Sequence, residues 1–257
     1  MKKNLRNSLF LGLGLLTPLL AVAQTALVQL DFDNPSDRLA QTGTAPTTFS
    51  PQQGTVTFGS GVAGGTAAVF NGASSLRANS SPVTSGLTIA FWMKTTTNNG
   101  ISGTQWFQGA GLVDGELGGD TTDWGISQMG TKLAFGIGAS DRTLFSNRSI
   151  NSGEWIFVTA TWDTGGVMNF YLDGALDSSY ATASTASRRT DNQFFIGQDL
   201  GGGYYTGSLD QIRVYGSALT AGQIAALHAA VIPEPGTYAV LFGAAGLAVA
   251  AWRKRRR

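Results

Sequence analysis

The sequence predicts an all-β fold: one two-sheet antiparallel sandwich of jelly-roll topology, with roughly twelve to fourteen strands and one short helix at its end. Three observations carry this. Apolar residues alternate with a period of two in short runs, most clearly over residues 87–94 and 155–162. Turn residues break these runs at short spacing, and the 257 residues include 35 glycines. The helix signal inside the domain is Thr220 with Gln223 three residues on, a capping box that predicts a helix over about residues 221–230. The rival architecture is an up-and-down barrel.

Both ends read as targeting segments. Residues 1–23 open with Lys2, Lys3 and Arg6, continue through an apolar run over 9–20 and close on Ala21-Val22-Ala23. This is a signal peptide with cleavage expected between Ala23 and Gln24; an uncleaved anchor is the alternative. The far end reads Pro233-Glu234-Pro235-Gly236, an uncharged stretch over 237–252, and five basic residues from Arg253 to Arg257. Sixteen helical residues reach only about 24 Å across a core of about 30 Å, so this is a short membrane helix with its basic end cytoplasmic. The same stretch closely resembles the PEP-CTERM sorting signal. That resemblance implies a Gram-negative exporter, transient anchoring in the inner membrane through residues 237–252, and an exosortase cut near Pro233, Glu234 and Pro235. The product would be delivered to the envelope or outside; a plain tail anchor is the alternative. The expected organisation is therefore 1–23 signal peptide, 24–232 domain and 233–257 sorting segment.

Between Gln24 and Ile232 nine Lys and Arg face fifteen Asp and Glu, a net charge of −6. The basic balance of the whole chain belongs to its two ends. Nucleic acid and anionic polymers lose their electrostatic support as partners. With no cysteine, the exported domain is held by its core without disulfides.

Within the domain, residues 27–33 alternate as an early strand, ended by Asn34-Pro35. A long polar connection with one edge strand leads to a further run over 54–58, and AAVFN and SLRA make two short strands around Gly72. In LTIAFWMK over 87–94, Leu87, Ile89, Phe91 and Met93 face one side and Thr88, Ala90, Trp92 and Lys94 the other. Residues 98–111 are Gly-rich and hold Trp106 and Phe107, which either stand exposed or fold back on a sheet as a lid. Leu112, Asp114 and Glu116 are expected on one strand face, opposite Val113 and Leu117, with Asp120 and Asp123 just beyond. A hairpin around Gly130 follows. The central stretch, EWIFVTATWDTGGVMNFYLDG over 154–174, is a mid-sheet strand, a Gly-rich turn, a second strand and an Asp173-Gly174 type I′ turn. FFIG is a buried strand, QDLGGGYYT an open loop, and GSLDQIRVYGS the last strand.

The central Trp-led hairpin with its Leu-Asp-Gly turn, the aromatic-apolar-Lys ending at 92–94 and the Gly-Ser-Leu-Asp-Gln-Ile-Arg-Val-Tyr strand together resemble the laminin-G-like, concanavalin A-like domains. The resemblance is firm over 87–227 and weaker over 27–78, and implies a jelly roll that binds more often than it catalyses. In one departure, the His pair that usually follows the central Trp is Ile156-Phe157 here.

Catalysis is not expected. A glycosidase needs paired carboxylates in a cleft. Asp114 and Glu116 have suitable spacing, but the Glu-x-Asp-x-(x)-Glu strand that the glycosidases of this fold class carry is missing from a chain with three glutamates. The one histidine, His228, has no acidic neighbour in sequence and is expected to face solvent, which leaves no triad and no zinc site. Calcium suits the oxygen donors of Asp114, Glu116 and Asp123, with Asp33 and Asp210 a rival pair. For function the expectation is carbohydrate binding: sugar C–H faces stack on aromatic rings, and Trp106, Trp124, Tyr204 and Tyr205 lie in Gly-rich segments expected at the rim. The partner is then a neutral or cationic glycan or a glycoprotein of the surface matrix, with adhesion as the outcome. A structural matrix protein and, less so, a hydrolase are the alternatives.

Overall fold

The computed structural model describes residues 24–231 apart from positions 100, 117, 120, 139–141, 182, 184 and 189–192. The signal segment, Asp120 and Pro233, Glu234 and Pro235 lie outside the described residues. Among the described residues fifteen strands form two antiparallel sheets, and one α-helix, α1 (Ala221–Ala229), follows them. The sheet that carries the helix contains β1 (Val28–Leu30), β3 (Thr57–Ser60), β4 (Thr66–Asn71), β6 (Leu87–Lys94), β11 (Ile156–Trp162), β12 (Met168–Leu172), β13 (Ala175–Tyr180) and β15 (Thr206–Tyr215). Its order is β13-β12-β11-β6-β15-β4-β3, with β1 also on β15. The facing sheet contains β2 (Phe49–Gln53), β5 (Ser75–Ala78), β7 (Ala110–Asp114), β8 (Trp124–Met129), β9 (Lys132–Ile137), β10 (Arg142–Phe145) and β14 (Phe194–Ile196), in the order β10-β9-β8-β7-β14-β5-β2. This is the sandwich the sequence predicts.

The alternation decides which side chains meet. In β11, flanked by β6 and β12, Ile156, Val158, Ala160 and Trp162 enter the main core between the sheets. Phe157 points to the other side and joins Ala90, Trp92, Tyr171, Tyr215 and Ile224 in a second cluster, so the outer face of this sheet is sealed by α1. Thr220 accepts from Gln223 N at 3.3 Å and starts the helix at the position its capping box predicts. His228 is a correction. It is half-buried, stacked on Phe157 at 5.6 Å and 22° and tilted over Trp92 at 5.5 Å, because the helix lays this position across the sheet. The type I′ turn is present, with φ of 52° at Asp173 and 78° at Gly174.

A second correction concerns the acidic run. The strand β7 ends at Asp114 and carries a bulge between Gly111 and Val113, so Glu116 lies beyond the strand rather than two places along a common face.

Candidate functional site

The outer face of the facing sheet is covered by two loops, and the residues beneath them explain why. Register aligns Asp114 with Gly125, Gly125 with Gly136, and Gly136 with Thr143, a row across β7, β8, β9 and β10. The two central glycines leave a flat slot, and the Trp106 indole fills it. A Cβ at Gly136 would stand 1.6 Å from Trp106 Cδ1, and one at Gly125 2.4 Å from Cζ3. Trp106 N–H donates to Thr143 Oγ1 at 3.0 Å, Ser127 Oγ donates to the Trp106 carbonyl at 2.5 Å, and Ile101, Phe107, Met129 and Ala134 complete the cluster. The lid alternative for this loop is therefore the one the chain adopts.

The second cover is the turn that follows β14. Gly111 N–H donates to the Gly203 carbonyl at 3.1 Å, and a Cβ at Gly111 would meet the Gln198 carbonyl at 2.2 Å. Only glycine admits so close an approach. Asp199 accepts from Gly203 N–H, Ser75 Oγ donates to Gln198 Oε1 at 2.5 Å, and Leu200 N–H donates to Glu116 Oε2 at 3.3 Å. Tyr204 is half-buried at the end of this turn and Leu200 is 45% exposed near its tip.

Asp114 sits beneath these covers, fully buried, with one carboxylate oxygen accepting from Glu116 N–H at 2.7 Å and Oδ2 without a hydrogen-bond partner. Burial pushes its carboxyl well above the usual range, against the Glu116 N–H bond and with the charges of Glu116, Asp199 and Asp123 adding to the rise. Burial raises Asp199 as well. Asp123 is buried beside Arg188, whose guanidinium donates to the Asp123 carbonyl at 3.1 Å and lies 5.0 Å over the Trp162 ring. Among the described residues no group of three or more His, Asp and Glu side chains converges as a metal site requires. Asp33 and Asp210, the rival pair, brace backbone: Asp33 accepts from Thr66 N–H at 2.7 Å, and Asp210 from Val62 at 2.9 Å and Gln211 at 2.7 Å. Asp210 is pushed up to about 7 by burial.

The four aromatic candidates separate. Trp124 is 1% exposed in the main core at 5.7 Å from Phe194, and Tyr205 is buried there too, its hydroxyl donating to the Lys94 carbonyl at 3.3 Å. Trp106 fills its slot. The expectation of rim positions is corrected for these three, because each ring lies on an inward or strapped face; Tyr204 alone of the four is half-buried rather than buried. Asp199 and Arg188, which organise this region, escaped the sequence reading. The Asp199 signal was its place two residues before three glycines, where a short acceptor closes a turn; the Arg188-Arg189 pair in a polar loop carries none.

Residues 70–225 match the model of the concanavalin A-like lectin/glucanases superfamily, and residues 231–257 match the PEP-CTERM protein-sorting motif. No curated protein matches the chain. Among solved structures, domain 4 of AbnA, a GH43 extracellular arabinanase from Geobacillus stearothermophilus solved with arabinotriose, is similar at 22% identity and a TM-score of 0.60, over 80% of this chain and 100% of that one. The botulinum neurotoxin serotype G binding domain is similar at 18% identity and 0.61, over 79% of this chain and 50% of that one. The binding domain of Paraclostridial Mosquitocidal Protein 1 gives 15% identity and 0.61, over 79% and 52%. The chain thus spans about half the length of the two toxin binding domains. At these identities the likeness shows the fold.

Proposed function

The chain belongs to the concanavalin A-like lectin/glucanases superfamily and ends in a PEP-CTERM sorting motif that marks it for export, and we propose that it is a non-catalytic glycan-binding module of the surface matrix. The observation that carries this is the turn over β7. There the half-buried Tyr204 and the exposed Leu200 share one turn, and Leu200 N–H is bound to the half-buried Glu116, so apolar groups for sugar C–H faces adjoin a carboxylate for hydroxyls. The domain's net charge of −6 favours a neutral or cationic glycan. Domain 4 of AbnA, solved with arabinotriose, supports a neutral sugar on a related fold. Signal peptidase and exosortase are the processing partners, and calcium that draws Asp114, Glu116 and Asp123 together from their unconverged positions belongs to the same proposal, supported by the mutual repulsion that a cation would relieve.

A glycan array with the signal-cleaved chain is the test. Wild type binds a neutral or cationic glycan, and Tyr204→Ala weakens it about tenfold, the equivalent of one lost stacking contact of about 1.4 kcal/mol. Binding that survives Tyr204→Ala unchanged refutes this site. The second reading, a structural matrix protein without a small ligand, is favoured by the burial of Trp106, Trp124 and Tyr205, and an array with no wild-type binding establishes it. Release of reducing ends would instead establish a hydrolase.

A further inference from the structure

The two described ends of the chain meet on one face of the molecule. The Gln24 side chain is tied to Ser217 by bonds of 2.6 and 2.9 Å, on the strand end where α1 begins. Beside it lies an apolar groove of about 180 Å³ lined by Tyr215, Leu219, Ala226, Leu227 and Ala230. A second, more open groove of about 540 Å³ continues from Gln24 to Val231, the last described residue, across Gln211 and Arg213. Both lie on the outer face of the sheet that α1 covers. Among the described residues no carboxylate lines either groove, and Arg213 is the one charged side chain lining them. On the opposite outer face Asp114, Glu116, Asp123 and Asp199 are gathered beneath and around the loops. Asp31 lies beside the grooves, ion-paired with Arg213 at 3.5 Å, and the two membrane-directed segments of the precursor leave from the grooved face.

The length of chain beyond Val231 sets the geometry. Five residues, 232–236, separate it from the uncharged stretch 237–252, and five extended residues span at most about 17 Å. A leash that short keeps the α1 face beside the bilayer whenever the sorting segment is inserted. The opposite outer face lies farther away by two sheet layers packed about 10 Å apart.

We propose that in the anchored chain the α1-bearing face, from Gln24 to Val231, rests on the lipid surface and holds the loop-covered face, with Tyr204 and Leu200, pointing away from the membrane. The grooves accept the lipid surface along Ala226, Leu227 and Ala230 of α1, and Arg213 exchanges its ion-pair partner Asp31 for lipid phosphate. The glycan-facing side is then open before the sorting segment is cut, so matrix attachment does not wait for release. The orientation rests on the sorting motif and the position of the two ends, and stands whether or not a glycan binds.

The chain has no cysteine, so one introduced thiol reports one place. The signal-cleaved full chain, inserted in vesicles of phosphatidylethanolamine and phosphatidylglycerol, is labelled with a fluorophore at A229C on the exposed side of α1 or at L200C on the opposite face. Lipid-borne nitroxide quenches the label at position 229 several-fold more than that at 200, and aqueous iodide does the reverse. Equal quenching at both sites, or stronger lipid quenching at 200, overturns the orientation. The variant Arg213→Gln separates the contact from the leash: weaker lipid quenching at 229 supports seating on phosphate, and unchanged quenching refutes that part while the ordering of the two labels still decides the orientation.

Discussion

Replacing Gly136 with alanine tests whether Trp106 holds the strapped face shut. The added Cβ would stand 1.6 Å from Trp106 Cδ1, a distance no packing adjustment absorbs, so the indole has to leave its slot. Gly136 does not have a left-handed φ, so the backbone accepts alanine and the whole effect is steric. A tryptophan ring buries about 200 Å², and at about 25 cal/mol per Å² its complete expulsion costs about 5 kcal/mol as an upper bound. Trp106→Ala should cost about 3–5 kcal/mol for the same reason. Once the ring is gone, Gly136→Ala should add less than about 1 kcal/mol, which gives a coupling of at least about 2 kcal/mol in the double-variant cycle. Urea unfolding measures all four corners, and iodide quenching of tryptophan fluorescence shows whether the ring has been released. A Gly136→Ala cost under about 1 kcal/mol, or two costs that simply add, would refute the slot.

Three further outcomes are expected. Asp210 is pushed up to about 7 by burial, while its unfolded value is near 3.8, so the folded chain holds the extra proton between these limits. Stability is therefore greatest at the acid end of this window and falls as pH rises from about 4 to about 7, by at most about 4 kcal/mol before solvent screening reduces it; Asp210→Asn should flatten that slope in melting curves, and an unchanged slope excludes Asp210 as its source. Thr220→Ala removes the cap of α1 and should cost about 1 kcal/mol in urea unfolding, with iodide reaching more tryptophan as the helix loosens over Trp92; no change in either would mean that the helix is held by Ile224 and His228 packing alone. Calcium bound at Asp114, Glu116 and Asp123 raises the melting temperature with concentration, an effect lost on Asp123→Asn and reversed by chelator; identical melting in millimolar calcium and chelator refutes it.

The sequence by itself determined the elements whose cause is local. The period of two in β6 and β11 assigned their faces, positive-φ residues Asp173 and Gly174 made the β12–β13 turn, and Thr220 with Gln223 started α1 where expected. The charged and apolar pattern of residues 233–257 likewise marked the sorting motif, because such a segment acts through composition. Tertiary structure alone decided the site. Trp124 and Gly125 are neighbours in sequence, yet one ring enters the core and the other position floors an outer slot, and nothing local says which face of β8 is inward. Gly125 and Gly136 become a slot only through the register of β8 on β9, and Trp106 finds it from an irregular loop with no periodicity to read. Asp114 reads in the sequence as one of two carboxylates on a strand face for the same reason. Its burial depends on two loops, one of them closed by Asp199 more than eighty positions along the chain, and a long-range enclosure of that kind leaves no mark on the residues it encloses.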